Sequence, residues 1–364
     1  MTVTILTLLP AFIAAWFIGA RLLRGADLSA FDGPNTSEQR FSSGDSLNDE
    51  HKAILRSLAE MSARHKGSPR AGRLARLRVL VDNMFADHPF TARFVATDAG
   101  GVPAEWVLAP GADSARRTLY IHGGAYALGS PRSHRVITAK FSEITGGAVL
   151  AIDYRLMPEH PRRAGIEDCR AAYRWMLTHG PDGEEPAGTV FVAGDSAGGN
   201  LTLSLIAWVR DQGLRAPDAA VALSPATDST LGSPSLKANL ATDAMLGPLF
   251  RPVTKVPRSV LLWGGWALNR MRPSHPDISP VFGNLSGLPP VLVHASQIEM
   301  LLDDSRRYVN KAVAAGSPVR LQTWNHMVHV WQIFYPGLTE SRQAFDEIGK
   351  FLAAAAPGHN PALA

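Results

Sequence analysis

One heptapeptide constrains this chain more than any other feature: Gly-Asp-Ser-Ala-Gly-Gly-Asn at residues 194–200, directly after the apolar run 189–193. A short strand, then Gly-x-Ser-x-Gly, then a helix-forming stretch (201–209) is the sequence form of a nucleophile elbow. The chain must turn so tightly from strand to helix that residues two positions either side of the serine have to be small. Gly194 and Gly198 meet that demand. Ser196 is thereby presented at the edge of a sheet, above a helix N-terminus whose free N–H groups favour developing negative charge. The same residues also read as a glycine-rich turn with an ordinary serine. What separates the two readings is the strand before the motif and the helix after it.

Composition sets the frame for that elbow. A chain of 364 residues with 46% hydrophobic and 19% charged residues has the core of a globular protein. Its length suits one α/β domain with insertions. The net charge is +4 with no long basic run or aromatic–basic interleaving, so nucleic acid is not an expected partner. The single cysteine, Cys169, rules out an intrachain disulfide and reads as a packed thiol on a helix. No His-Glu-x-x-His, Cys-x-x-Cys or carboxylate cluster points to a metal. No phosphate loop or dinucleotide fingerprint sits between a strand and a helix, so no cofactor is expected.

The N-terminus is the second distinctive region. Residues 2–20 contain no charged side chain and include Leu8, Leu9, Phe12, Ile13, Trp16, Phe17 and Ile18, with Arg21 and Arg24 immediately after. That length just spans a bilayer. Nothing basic precedes it and no small-x-small cleavage site follows, unlike a secretory signal. The reading is a membrane anchor over residues 1–24, with the positive-inside bias placing the rest of the chain on the cytoplasmic side. A buried N-terminal helix and a cleaved signal are the alternatives.

Residues 25–50 are polar and read as a linker, and residues 51–85 as a basic helical cap; together they form a 25–89 unit. From residue 90 to 357, strand patterns alternate with helical ones. Eight strands are predicted: 91–97, 104–108, 117–121, 148–154, 190–193, 219–223, 291–295 and 319–324. The later runs are continuously apolar, as parallel strands buried on both faces are. Helical patterns lie at 135–145, 166–178, 201–211, 302–314 and 342–355. Such alternation specifies an α/β fold with a doubly wound, mostly parallel eight-stranded sheet. Residues 231–276 break the rhythm and read as a cap insertion over the site, with Met245, Phe250, Trp263 and Trp266 suggesting an apolar lining. Residues 358–364 read as a tail.

An elbow serine needs a base, an acid to orient it and donors for an oxyanion. After the strand 117–121 comes His122-Gly-Gly-Ala-Tyr126, a loop whose glycines allow backbone N–H groups to approach a substrate closely. Gly123, Gly124 and Ala125 are the expected donors, joined by the N–H of Ala197. With Asp153-Tyr-Arg-Leu-Met-Pro-Glu-His-Pro161, the elbow, Ser279-Pro280 and Leu288-Pro-Pro290, these ordered motifs resemble the hormone-sensitive-lipase-like (bacterial type IV) esterase family of α/β-hydrolases. The resemblance runs from about residue 119 to 332. It implies hydrolysis of small-molecule carboxylic esters, of short to medium acyl length, without a cofactor. Ala125 departs from the family, which usually carries a third glycine there.

His329, in Met-Val-His-Val-Trp, resembles the family's catalytic histidine, with His326 as the competitor; His294 reads as structural. The family places its acid just after the strand 291–295, and Glu299 occupies that slot. Asp303 is the alternative, although Asp303 and Asp304 also suit a helix N-terminus. Asp153, Arg155, Glu159 and His160 read as scaffold, and Asp195 as a positioning residue. The expected triad is thus Ser196, His329 and Glu299. Lactone or amide hydrolysis by the same groups, or a hydrolase homologue that only binds a ligand, are the alternative functions.

Overall fold

The computed structural model describes residues 2–34, 38–42, 44, 47–65 and 72–357, with only the backbone described for 2–12, 61–62 and 64–65. The expected tail at 358–364 lies outside the described residues. The chain opens with α1 (Thr2–Arg24), β1 (Gln39–Phe41), α2 (Asp49–His65) and α3 (Arg73–Asp82). Then come β2 (Arg93–Asp98), β3 (Pro103–Leu108), β4 (Asp113–Ile121), α4 (Arg135–Thr145), β5 (Gly147–Ile152) and α5 (Arg162–Met176). A small antiparallel pair, β6 (His179–Gly180) and β7 (Gly183–Glu184), precedes β8 (Thr189–Asp195), α6 (Ala197–Asp211) and β9 (Ala219–Leu223). The insertion holds α7 (Ser235–Ala238), α8 (Gly247–Phe250) and α9 (Arg258–Asn269). The chain closes with β10 (Val291–Ser296), α10 (Leu302–Ala314), β11 (Val319–Trp324) and α11 (Thr339–Ala355).

All eight predicted strands form, but among the described residues the sheet has nine, in the order β1-β11-β10-β9-β8-β4-β5-β3-β2. The ninth is β1, from the stretch expected to be linker. It pairs in parallel with β11, placing Gln39 opposite Gln322 and Phe41 opposite Trp324. Three residues are too few to show a strand period. β1 is made by tertiary contact: the Phe41 ring stacks on Trp324 with centroids 4.4 Å apart. Only β2–β3 and β3–β5 are antiparallel; every other pairing in this sheet is parallel.

Strand periodicity divides the core into two layers. In β4, Leu119 and Ile121 face the layer that holds Ile166, Leu203 and Tyr308, while Tyr120 between them faces Phe141 and Phe345. Because β4, β8, β10 and β11 run in parallel, the loops after them converge at one edge of the sheet. In open α/β sheets that carboxyl edge is where chemistry is placed. A cleft of about 370 Å³ lined by Thr91, Arg93, Leu108, Ser114 and Asp182 lies at the opposite end, where β4 begins.

The N-terminal elements brace this edge. Ile54, Leu55 and Leu58 of α2 pack on Trp324, Met327, Val328 and Trp331, the residues around the His329 loop. α1 lies along α9: Ala20 and Leu23 are buried with Leu262, and Trp16 meets Trp263 with ring centroids 5.5 Å apart. Among the described residues no helix is long and apolar enough to cross a membrane. Much of the anchor expected at 2–20 falls on residues 2–12, whose side chains lie outside the described residues. Trp263 and Trp266, expected to line a pocket, instead pack on each other, and Trp263 turns to α1.

Candidate active site

Ser196 sits at the junction of β8 and α6 with φ 52° and ψ −113°, a backbone region that side chains seldom occupy. Its N–H donates to the Leu223 carbonyl at 2.7 Å, which pins the turn to β9. Gly198 is required by contact: a Cβ there would lie 1.9 Å from the Ile121 carbonyl oxygen. The elbow is therefore wedged against the end of β4, beside the loop expected to supply oxyanion donors.

The expected base and acid come together with the serine. Ser196 Oγ lies 2.9 Å from His329 Nε2, and His329 Nδ1 lies 2.7 Å from Glu299 Oε2. The other carboxylate oxygen, Glu299 Oε1, accepts the Ser296 N–H at 2.8 Å. Glu299 and His329 are both buried. Burial disfavours the imidazolium, yet the hydrogen bond and charge of Glu299 outweigh it and raise the His329 pKa above its ordinary value. The loop is held from behind: Val330 has φ 52° and ψ 47°, costly for a β-branched residue, and its N–H donates to Ser224 Oγ at 3.2 Å.

The competing residues are placed elsewhere. Asp303 accepts the Ser235 N–H at 2.8 Å. Asp304 accepts the Ser233 hydroxyl and, at 2.9 Å, the Asp228 N–H. Both carboxylates tie the insertion to the start of α10. His294 is buried with Nε2 2.8 Å from Gln322 Oε1, and burial pushes its pKa down to about 4. His326 makes no hydrogen bond to the serine or the acid among the described residues.

The oxyanion loop requires one correction. The Gly123 N–H donates to Asp195 Oδ1 at 3.1 Å, so it is not free for a substrate. The same oxygen accepts the Tyr120 hydroxyl at 2.7 Å, and Oδ2 lies 3.4 Å from His134 Nε2. Burial would raise the Asp195 pKa; the charge and hydrogen bond of His134 and the bond from Tyr120 hold it below the usual carboxylate range. Gly124, Ala125 and Ala197 keep N–H groups with no protein acceptor among the described residues. Gly124 has φ +110°, and a Cβ on it would strike the Leu128 carbonyl at 2.2 Å. Ala125 follows at φ 53°, so the position where a third glycine is usual is one where an L side chain is strained.

Two arginines hold this loop, and sequence reading did not single out either. Arg162 is buried, and its Nη2 donates to Tyr126 Oη at 2.6 Å, Asn200 Oδ1 at 3.1 Å and the Ile278 carbonyl at 3.0 Å. Its guanidinium also lies 3.8 Å from the centre of the Tyr126 ring. Arg78 of α3 donates to the Ala127 carbonyl at 2.8 Å and forks onto Glu159 at 2.9 and 2.8 Å. Arg78 falls within the basic segment 51–85, which reads as a helical cap, and Arg162 lies before the helical pattern at 166–178. Their partners lie tens of residues away, beyond any local pattern. The expected scaffold quartet is also divided: Glu159 pairs with Arg78, whereas Arg155 pairs with Asp168 at 2.6 Å.

The arrangement suits nucleophilic attack by a serine whose proton passes to a buried imidazole. Comparison with known proteins points to ester hydrolysis. The family model for the alpha/beta hydrolase fold matches residues 118–333. An acetyl-hydrolase of Streptomyces hygroscopicus is 40% identical over 258 residues, 70% of this chain and 81% of that protein. An esterase of Acinetobacter venetianus is 31% identical over 278 residues, 76% of this chain and 87% of its own length. The crystal structure of an esterase from the bacterial hormone-sensitive lipase family superimposes with a TM-score of 0.74 at 36% identity, covering 85% of this chain and 99% of that one. This chain therefore belongs to the hormone-sensitive-lipase-like bacterial esterases of the α/β-hydrolase fold and is a carboxylesterase-type hydrolase.

Proposed function

We propose that this protein hydrolyses carboxylic esters of short to medium acyl length through an acyl-enzyme on Ser196. The observation that carries the reading is the continuous relay from Ser196 Oγ through His329 to Glu299, with links of 2.9 and 2.7 Å. His329 Nε2 takes the serine proton as Oγ attacks the ester carbonyl. The N–H groups of Gly124, Ala125 and Ala197 receive the oxyanion, backed by the α6 N-terminus. The imidazolium then returns the proton to the departing alcohol. Water then attacks the acyl carbonyl as it gives a proton to His329, and the imidazolium passes that proton to Ser196 Oγ as the C–Oγ bond breaks and the acid leaves. Glu299, anchored by the Ser296 N–H, fixes the imidazole tautomer throughout.

Short acyl groups are favoured by the name of the Streptomyces relative, an acetyl-hydrolase. A series of p-nitrophenyl esters from acetate to palmitate tests the acyl range. The expected outcome is highest kcat/KM at acetate to hexanoate. A maximum at palmitate would overturn the chain-length reading. A fluorophosphonate probe should label the wild type on Ser196 and leave Ser196→Ala unlabelled; labelling of the variant at the wild-type rate would remove the serine from the mechanism.

A further inference from the structure

A helix that is apolar on all sides is normally buried on all sides. α1 departs from this rule. Trp16, Gly19, Ala20 and Leu23 are turned toward α9, and a Cβ on Gly19 would lie 2.3 Å from the Trp263 ring. The rest of its described surface is uncovered: Ile13, Phe17, Ile18 and Leu22 are all exposed. Across the contact, α9 exposes Val260, Trp266 and Leu268. Among the described residues, nine of the twelve exposed large hydrophobics lie on α1 or between Leu249 and Leu268. Scattered apolar residues need no explanation, whereas this concentration on two packed helices does.

Charge identifies the occupant. Residues 1–26 and 244–276 contain no aspartate or glutamate. Arg21, Arg24, Arg251, Lys255, Arg270 and Arg272 are exposed in these same two segments. Two apolar helices whose own segments carry exposed cations and no acid, with Asp27 beside Arg24 just past α1, match an anionic bilayer, which accepts apolar side chains at the headgroup boundary and attracts the cations. A second copy of this chain would bring the same cations against themselves. We infer that the paired face of α1 and α9 seats the enzyme on the surface of an anionic phospholipid bilayer.

Docking on a bilayer gives α9 a purpose that the ester chemistry does not. It also links the membrane to the site, because the insertion carrying α9 packs on the residues beside the acid. Leu240, Leu246 and Phe250 pack against the cluster of Leu236, Met300 and Leu301, which includes the neighbour of Glu299, and Arg258 of α9 donates to the Thr230 carbonyl at 2.8 Å. The docking face does not depend on the acyl-enzyme reading, and the test keeps the two apart.

Flotation of the full chain with phosphatidylcholine vesicles, with and without phosphatidylglycerol, tests the face. Wild type should float with the anionic vesicles and much less with neutral ones. The triple variant Phe17→Ser, Ile18→Ser, Leu268→Ser should lose at least about tenfold in vesicle affinity. Arg21→Glu with Arg270→Glu should lose the preference for anionic lipid, by about fivefold for each charge removed. Hydrolysis of p-nitrophenyl acetate without vesicles should be unchanged in both variants, which shows that they fold. Flotation of the triple variant like wild type would overturn the inference, because residues 2–12 alone would then account for binding. No flotation of the wild type, or a dimer in light scattering that the same substitutions dissociate, would also overturn it.

Discussion

At Ser196 the backbone holds φ 52° and ψ −113°, and Gly198 leaves no room for a methyl group against Ile121. A conformation of this kind costs on the order of 1–3 kcal/mol and persists where surrounding contacts over-determine it. Here they do: the N–H bond to Leu223, the contact of Gly198 with β4 and the start of α6 all fix one residue. The acid is fixed as firmly. Glu299→Gln keeps the shape but removes the charge that selects the His329 tautomer, so kcat should fall by about 10³–10⁴. The same change lowers the His329 pKa, because the group that outweighed burial is gone. The acidic limb of kcat/KM against pH, where the imidazole must lose its proton, should therefore move to lower pH. Asp303→Asn should leave kcat within about threefold and lower the melting temperature instead, since Asp303 holds Ser235 and touches no triad member. Steady-state pH profiles and thermal melts of the two variants distinguish these roles.

Among elements, the oxyanion loop depends on what surrounds it. Arg78 reaches from α3 to the Ala127 and Met157 carbonyls, and Arg162 from α5 to Tyr126. Arg78→Ala should lower kcat/KM about tenfold, because a small displacement of oxyanion donors is costly in the transition state. The effect should fall mostly on kcat, measured with p-nitrophenyl butyrate, while an unchanged kcat would free the loop from α3. β1 is a second dependent element. Phe41→Ala removes the ring stacked on Trp324 and should cost about 2 kcal/mol in urea unfolding. Both cases mark the limits of local pattern. The eight predicted strands and the helices α4, α5, α6, α10 and α11 were legible because apolar periodicity is a local property. β1 was not, since three residues carry no period. Trp263 and Trp266 were read as pocket lining because sequence reports apolarity but not the neighbour that uses it.

For the molecule as a whole, the ordered motifs carried most of the site. Ser196, Glu299 and His329 stand at the ends of β8, β10 and β11, which lie close together in the sheet order. Chain order and strand ends could be read in advance. What could not was the choice each N–H makes, as when Gly123 turns to Asp195 rather than to the substrate. The buried carboxyl of Asp304 has a consequence for global stability. Burial and the nearby charge of Asp228 raise its pKa to about 7. An unfolded aspartic acid loses its proton near 3.9, so the native state binds the extra proton between about pH 4 and 7. Its contribution is complete below that window and is lost as pH rises through about 7. Melting curves of wild type and Asp304→Asn should accordingly converge or cross in favour of the variant between pH 5.5 and 8. A constant difference across that range would assign the carboxyl no such role.

Acylation of Ser196 with His329 as its base is tested most directly by the turnover number of Ser196→Ala on p-nitrophenyl butyrate. Loss of a triad nucleophile leaves only binding and oxyanion stabilisation, so kcat should drop by at least about 10⁴ while the melting temperature is kept. A Ser196→Ala enzyme that is folded and turns over within about tenfold of wild type would contradict the account.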